Sequence, residues 1–257
     1  MEIVAVVNQK GGVGKTTTTI NLATALAAVG KEVLVVDLDP QGNATTGFGI
    51  SLKRGHGTYE VLMGDVRADF AVQKTAIPGL SVLPASPDLS GAEIELVPME
   101  NRELQLKKAL KSLSHKYDYV LIDCPPSLGL LTLNAQVASN SLLVPLQCEY
   151  YALEGLSQLL NTLQRVKKNL NPQLELMGII LTMYDTRSTL SAQVAQDVRS
   201  HLGSRVFNTY IPRNVRVAEA PSFGKPVLLY DMKCVGSQAY IQLAKEILRR
   251  QGALLAA

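Results

Sequence analysis

Glycine, lysine and threonine are concentrated near the start of the chain, in a pattern that can hold phosphate groups. The segment is Lys10-Gly11-Gly12-Val13-Gly14-Lys15-Thr16-Thr17. Glycines let the backbone bend tightly and turn successive N–H groups toward an anion, and a helix starting near Lys15 would add the positive end of its dipole. Lys15 can reach phosphate oxygens, and the Thr16 hydroxyl can take one coordination position of Mg²⁺. The segment therefore predicts a nucleotide-phosphate site that uses Mg²⁺.

Carboxylates follow two other apolar runs. Asp37 and Asp39 follow the run 33–36, and Asp123 follows the run 119–122. Because parallel strands deliver side chains to one edge of a sheet, we expect these carboxylates beside the phosphate segment. Thr16, Asp39 and Asp123 are the predicted metal-site residues, and Asp123 fits a Walker B pattern. Asp37 is expected to support the metal from further away or to be structural, and a simple turn also explains the Asp37–Asn43 stretch.

Strand-like apolar runs alternate with longer helical patterns along the whole chain. The runs are Ile3–Val7, Val33–Val36, Leu80–Leu83, Tyr119–Ile122, Leu142–Leu146, Leu176–Leu181 and Val206–Ile211. This alternation is typical of an α/β protein. The sequence predicts a P-loop NTPase fold, with a doubly wound, mostly parallel sheet flanked by helices, and a single domain over residues 1–257.

The overall charge is modest. The 257 residues contain 25 Lys and Arg against 22 Asp and Glu, giving a net charge of +3. Any basic surface must therefore be local. The three cysteines are too few for a disulfide framework, and no signal peptide or membrane-spanning run is evident, which favours a cytoplasmic protein.

The phosphate segment departs from the general P-loop pattern at its start. It has Gln9 where a glycine is usual and a second lysine at Lys10. This resembles the deviant Walker A motif of the family that includes ParA, MinD and the nitrogenase iron protein. The resemblance implies that Lys10 reaches across an ATP-dependent homodimer to the partner's phosphates. Lys10, Lys15 and Asp39 are then the predicted catalytic residues, with Asp39 positioning or activating the attacking water.

Further motifs extend the resemblance over nearly the whole chain. They are Tyr150–Gly155, Ile211–Arg216 and Glu219–Lys225, and the combination resembles the ParA/Soj branch. The resemblance implies that Pro212 and Asn214 contact adenine, with Met183 as a further contact. An Asn side chain suits an adenine edge, and no guanine-type Asn-Lys-x-Asp motif is found, so ATP is preferred over GTP.

The same resemblance implies partners. A ParA-type ATPase binds non-specific double-stranded DNA as an ATP-bound dimer, becoming nucleoid-associated, and meets a ParB-type centromere-binding protein that stimulates hydrolysis. Arg187, Arg213 and Arg216 are the predicted DNA-contacting residues, and loops after strands are expected to carry Arg187 and Arg216. Residues 184–233 have seven basic against four acidic residues, so scattered solvated arginines remain an alternative interpretation.

Two other functions stay open. A MinD-like membrane ATPase needs a basic amphipathic C-terminal helix, whereas this chain offers only Arg249 and Arg250 near its end. A ParA-like ATPase that positions a cargo other than a chromosome, such as a plasmid, a protein cluster or a polar complex, is the second alternative that the sequence leaves open. No membrane partner is predicted.

Three stretches receive weaker predictions. Asn101–Ser114 has the pattern of a lysine-bearing helix, and a long helix is expected from Glu149 toward Lys168. Glu149 is a candidate contact to nucleotide or to a facing subunit, although a carboxylate is also favoured at any helix N-terminus. The segment Ala85–Pro98 resembles its ParA counterpart but receives no chemical role.

Overall fold

The computed structural model describes residues 1–150 and 152–255. An eight-stranded sheet forms its centre, in the order β3-β4-β2-β5-β1-β6-β7-β8. The strands are β1 (Glu2–Val6), β2 (Val33–Asp37), β3 (Gln73–Lys74), β4 (Leu80–Leu83), β5 (Tyr119–Asp123), β6 (Ser141–Gln147), β7 (Glu175–Tyr184) and β8 (Val206–Pro212). All neighbours are parallel except β3, which pairs antiparallel with β4. The predicted mostly parallel sheet is confirmed.

The central strands are buried on both faces. All five residues of β2 and all five of β5 are buried. Their side chains alternate between two cores, with Leu34 and Val36 in one and Val33 and Val35 in the other. Parallel strands covered on both sides need continuous apolar sequence, which is why these runs were recognisable.

Helices cover both faces of the sheet. They are α1 (Lys15–Ala28), α2 (Asn43–Gly47), α3 (Thr58–Met63), α4 (Ala68–Ala71), α5 (Leu89–Glu95), α6 (Gln105–Lys111), α7 (Leu130–Ala138), α8 (Ala152–Asn169), α9 (Thr189–Leu202), α10 (Val215–Glu219), α11 (Val227–Tyr230) and α12 (Val235–Leu255). Helices α1 and α12 supply Leu22, Leu26 and Leu243 to one core, whereas α7 and α8 supply Leu131 and Leu156 to the other. This two-sided arrangement is the doubly wound fold that the sequence predicts.

Two helix predictions need correction. The pattern at Asn101–Ser114 forms a short 3₁₀ turn followed by α6, because Asn101 has a left-handed φ of 51° that no helix interior accepts. The long helix begins at Ala152 rather than at Glu149, and Tyr151 of the family motif lies outside the described residues.

The two sheet edges differ from the centre. Strand β3, which the sequence analysis did not predict, has only two residues. On the opposite edge, the buried Glu246 carboxylate of α12 accepts the backbone N–H groups of Asn208 and Thr209 in β8, at 2.9 Å each. Among the residues described, no helix has the length and apolar character needed to cross a membrane.

Candidate functional site

The phosphate segment forms a tight turn between β1 and α1. Gly12 and Gly14 have left-handed φ values of 73° and 88°, which favour glycine, and Gly14 is the residue before the first turn of α1. A Cβ added at Gly11 or Gly12 would meet no protein atom within 4 Å. The turn therefore leaves open space at the N-terminus of α1, where an anion is stabilised.

A cavity of about 340 Å³ opens at this turn. Its lining combines the phosphate segment with residues from the ends of neighbouring strands: Gly11, Gly12, Gly14, Lys15, Thr16, Thr17, Asp39, Gln41, Asn43, Pro126 and Met183. Sequence analysis missed Gln41, Asn43 and Pro126. Gln41 and Asn43 belong to the Asp37–Asn43 stretch, and Pro126 follows Asp123 by three residues, so the two aspartate motifs could have indicated all three.

Lys15 is the most constrained cation of the cavity. It is only 6% exposed, and its amine donates a hydrogen bond to the Lys10 carbonyl at 3.2 Å. Burial lowers the pKa of Lys15, and the charges of Asp123 and Asp39 act in the opposite direction. A buried ammonium group with one carbonyl partner is suited to phosphate oxygens.

Asp37 and Asp123 lie directly opposite each other on paired strands. Asp37 accepts hydrogen bonds from the Thr45 N–H at 2.8 Å and the Thr45 hydroxyl at 2.7 Å, so it holds α2 in place. Burial raises the pKa of both carboxyl groups, and their mutual proximity raises that of Asp123 further. These hydrogen bonds fit a structural role, which is one of the two roles expected for Asp37.

Asp123 has an incomplete set of partners. One carboxylate oxygen accepts from the Thr19 hydroxyl at 3.2 Å. The other oxygen, Oδ2, is buried and has no hydrogen-bond partner within residues 1–150 and 152–255. Asp39 lies nearby in the cavity lining, and its carboxylate accepts the Gln41 N–H at 3.0 Å. Carboxylate oxygens with lone pairs not used in hydrogen bonds are suitable ligands for Mg²⁺.

Met183, Pro212 and Asn214, the three predicted adenine contacts, lie together beside Gly14. They line a second cavity of about 170 Å³, which also contacts Gly14 and Tyr240. Met183 has a φ of 49°, an uncommon value for this residue type. The Asn214 side-chain oxygen accepts the Val217 N–H at 3.3 Å and begins α10, which leaves the amide NH₂ group for another partner.

A basic groove of about 800 Å³ lies beyond that second cavity. Arg187, Arg213 and Lys233 line it together with the ring pair Tyr184 and Tyr210, whose centroids are 4.6 Å apart. Pro212 and Arg213 border both the groove and the second cavity. Lys233 was missed by sequence reasoning, since nothing distinguishes it from other surface lysines.

The predicted arginines are only partly brought together. Arg187 lies in the loop after β7 and pairs with Asp185 at 3.0 Å, which lowers the pKa of Asp185 to about 2. Arg216 was predicted in a loop, which is wrong, because Asn214 starts α10 and places Arg216 within it. Arg216 pairs with Glu219 at 3.1 Å and Asp231 at 3.7 Å, and it is not part of the groove lining.

Lys10 and Glu149 form an ion pair at the same edge of the sheet. Both side chains are about half exposed, at 52% and 41%. Glu149 follows β6 and precedes α8. The pair connects the phosphate segment to the β6–α8 connection, and it leaves Lys10 at the surface, where a second chain can approach.

Known proteins match this chain over most of its length. A family model described as an AAA domain matches residues 1–176. A chromosome partitioning protein ParA from Caulobacter vibrioides is 58% identical over 98% of this chain and 95% of its own length. The sporulation initiation inhibitor protein Soj of Bacillus subtilis is 53% identical over 96% of this chain and 98% of its own.

The chain belongs to the ParA/Soj family of P-loop ATPases. Among solved structures, a Mycobacterium smegmatis protein named cobyrinic acid a,c-diamide synthase, with bound ATP analogue and magnesium, superimposes with a TM-score of 0.86. It is 41% identical, and the match covers 98% of this chain and 96% of that one. ParA/Soj membership confirms the predicted fold class and the predicted ATPase activity.

Proposed function

We propose that this chain, acting as a single domain over residues 1–257, is an ATP-dependent DNA-partitioning switch. An ATP-bound homodimer binds double-stranded DNA without sequence specificity, and a ParB-type partner stimulates hydrolysis, which releases the DNA. The cargo is a chromosome or plasmid. The observation that carries the proposal is the adjacency of the phosphate cavity, the second cavity and the basic groove at one edge of the sheet.

ATP and Mg²⁺ are the cofactors. The Gly11–Thr17 backbone and the Lys15 amine bind phosphate oxygens, and the second cavity takes the adenine against Met183, Pro212 and Asn214. The Thr16 hydroxyl and the carboxylates of Asp39 and Asp123 would hold Mg²⁺, which would supply positive charge beside the transferred phosphoryl group. The unpartnered Asp123 oxygen supports this assignment.

Asp39 orients the water that attacks the γ-phosphate. Its carboxylate borders the cavity, and within the described residues the Gln41 N–H is the one hydrogen bond it accepts, so it can also accept a hydrogen bond from a water molecule. Phosphoryl transfer proceeds through a loose transition state, and positioning contributes more than deprotonation. Lys10 leaves Glu149 and reaches the phosphates of the facing chain, which makes dimer formation depend on the nucleotide.

Arg187, Arg213 and Arg216 bind DNA phosphates. Arg187 and Arg213 share the groove, and the exposed Arg216 can exchange its carboxylate partners for phosphate. Contacts of this kind position a protein on the duplex without reading bases. Binding is therefore expected to be non-specific and sensitive to salt.

One experiment tests the switch. Purified protein is mixed with non-specific duplex DNA or with anionic liposomes, each with ATP, ADP or no nucleotide, at two salt concentrations. Salt-sensitive DNA binding that requires ATP is the expected result, with stimulation of hydrolysis by a ParB-type protein. Liposome binding without DNA binding would replace the proposal with a MinD-like function, and ATP-dependent dimers that bind neither would indicate a different cargo.

A further inference from the structure

Segment 85–97 follows β4 and precedes α6. It contacts α2 and α7, the helices that follow two loops at the nucleotide site. One is the Asp39 loop, residues 38–42, and the other is the Walker B loop, residues 124–129. We propose that segment 85–97 is a bridge that holds these two loops in a fixed relation, and that Glu93 is the positioning residue of that bridge. The inference rests on the nucleotide site proposed above.

The first end of the bridge is tied to the Asp39 loop. The Ala85 N–H donates to the Thr45 hydroxyl at 3.0 Å, and that hydroxyl donates to Asp37 at 2.7 Å. Thr45 belongs to α2, which begins directly after the Asp39 loop. Asp37 and Thr45 are both buried, so this chain of hydrogen bonds is shielded from water.

The second end is tied to the Walker B loop. The Glu93 carboxylate accepts the N–H groups of Leu130 at 2.8 Å and Leu131 at 3.3 Å. These are the first two residues of α7, so one side chain satisfies two unpaired donors and places a negative charge at the positive end of the helix. A side chain from α5 therefore fixes the point where the Walker B loop ends.

Gly129 is the residue that permits this contact. A Cβ added there would lie 2.2 Å from one Glu93 carboxylate oxygen. Because the obstructed atom is the end of a flexible side chain, an alanine at this position would displace the carboxylate and leave the backbone fold in place. Gly129→Ala thus removes the same contact as Glu93→Ala from the opposite side.

The Walker B loop carries the effect to the cavity. The loop follows Asp123, and Pro126 within it lines the phosphate cavity. The Thr132 hydroxyl donates to the Ser127 carbonyl at 2.6 Å, so α7 also holds the middle of the loop. Loss of the Glu93 contact should therefore loosen the start of α7 and, with it, loop residues 124–129, which include Pro126 and follow Asp123.

The interior of the bridge is rigid enough to transmit the restraint. Leu89, Ala92 and Leu96 are buried in the core on the α7 side of the sheet. Packed side chains resist independent movement of the two ends. The bridge, segment 85–97, therefore helps to set the distance between Asp39 and Pro126 across the phosphate cavity.

The test compares Glu93→Ala, Glu93→Gln and Gly129→Ala with the matched control Glu95→Ala. Glu95 lies on the same helix, and its carboxylate accepts a hydrogen bond from the Tyr59 hydroxyl at 2.6 Å, on α3. Steady-state ATP hydrolysis is measured over a range of Mg-ATP concentrations, and amide hydrogen exchange is measured for residues 124–131. We expect the KM of Glu93→Ala and Gly129→Ala to rise about fivefold, the effect of losing one helix cap, with kcat within about twofold.

Exchange at 124–131 should accelerate in the same two variants and stay unchanged in Glu95→Ala. Glu93→Gln should fall between them and the wild type, because its amide keeps one acceptor oxygen. An unchanged KM in Gly129→Ala and Glu93→Gln overturns the bridge, even if Glu93→Ala is less stable. An equal rise in KM for Glu95→Ala overturns it as well, since any change in α5 would then have the same effect.

Lys15→Ala, assayed alongside, separates this proposal from the nucleotide site. If Lys15→Ala loses Mg-ATP binding while the Glu93 and Gly129 variants keep the wild-type KM, only the bridge is wrong. If Lys15→Ala binds Mg-ATP as the wild type does, the nucleotide site is wrong, and the bridge falls with it.

Discussion

The phosphate cavity and the basic groove both lie at the carboxyl ends of the parallel strands, yet they expose their charged side chains to water to very different degrees. The cavity holds its charges in the interior, with Lys15 at 6% and Asp39 at 8% exposure. The groove holds its charges in water, and the Arg187 side chain is 88% exposed. The cavity is lined by three short motifs and Met183, whereas the groove is lined by the ends of β7 and β8 and by the loops and helices that follow them.

This difference determines how strongly each region depends on single residues. Removing a buried charge removes an interaction in a medium of low polarity, where electrostatic effects are large. Removing an exposed arginine removes an interaction that water and salt already weaken. A single substitution in the cavity should therefore remove most of the ATP binding or hydrolysis. A single substitution in the groove should lower the DNA affinity only slightly.

Lys15→Ala should have the largest effect. Loss of a buried ammonium that binds phosphate should cost about 3 kcal/mol, or about 100-fold in the Kd for ATP. Titration of nucleotide binding by calorimetry measures the change, and circular dichroism verifies that the fold is kept. The control is Lys53→Ala, which removes an exposed loop lysine. Equal ATP affinity in Lys15→Ala and the wild type would contradict the assigned phosphate site.

Asp39→Ala should separate binding from hydrolysis. Nucleotide binding and ATP-dependent dimers should persist, while the hydrolysis rate falls about 100-fold because the attacking water is no longer oriented. Phosphate release and size-exclusion chromatography measure the two properties. The exposed Asp65→Ala serves as control. Wild-type turnover in Asp39→Ala would remove its catalytic role.

The triple variant Arg187→Ala, Arg213→Ala, Arg216→Ala tests the groove. DNA affinity should fall about tenfold at low salt, because three exposed ionic contacts contribute about 1.5 kcal/mol together. The slope of log affinity against log salt should flatten by about 0.9 for each DNA phosphate that an arginine no longer neutralises. Fluorescence anisotropy with duplex DNA provides both values, and ATP binding should be unchanged.

A triple variant of equal charge is the control for the groove. It replaces Arg54, Arg67 and Arg165 with alanine. Arg67 pairs with an aspartate two residues away, Asp69, as Arg187 does with Asp185. If both triple variants lose DNA affinity equally, net charge rather than the groove explains binding. If neither loses affinity, the DNA surface lies elsewhere.

Asn214 lies between the two regions and should show the smallest effect. Asn214→Ala removes both the α10 cap and the amide that faces the second cavity, so ATP affinity should fall about fivefold. Asn214→Asp keeps an oxygen for the cap but loses the NH₂ donors. If Asn214→Asp binds ATP as tightly as the wild type while Asn214→Ala does not, Asn214 acts by starting α10 and not through the base.

The same contrast explains what the sequence could predict. Asp39 and Asp123 were predictable because strands buried on both faces need unbroken apolar runs, and these two residues lie at or just after the ends of β2 and β5. Lys15 was predictable from the glycine, lysine and threonine pattern around it. The gathering of Met183, Pro212 and Asn214 into one cavity followed from family resemblance. Only the fold could reveal Lys233 in the groove or the Glu93 contact with α7, because those partners are far apart in sequence.

Arg216 shows the limit of local patterns. The sequence placed it in a loop with Arg187, but the Asn214 side chain starts a helix there, and two carboxylates hold the guanidinium. Asn is both a turn former and a helix cap, so its neighbours decide which role it takes.

The two edge strands of the sheet, β3 and β8, restrict how copies of this chain can associate. An exposed edge strand invites another strand to pair with it, and proteins suppress this by shortening or occupying the edge. Here β3 is two residues long, and Glu246 occupies backbone donors of β8 from within the same chain. Growth of a continuous sheet from copy to copy is disfavoured at both ends. Copies that associate through other surfaces would separate without breaking a shared sheet, as the proposed ATP-dependent dimer cycle requires.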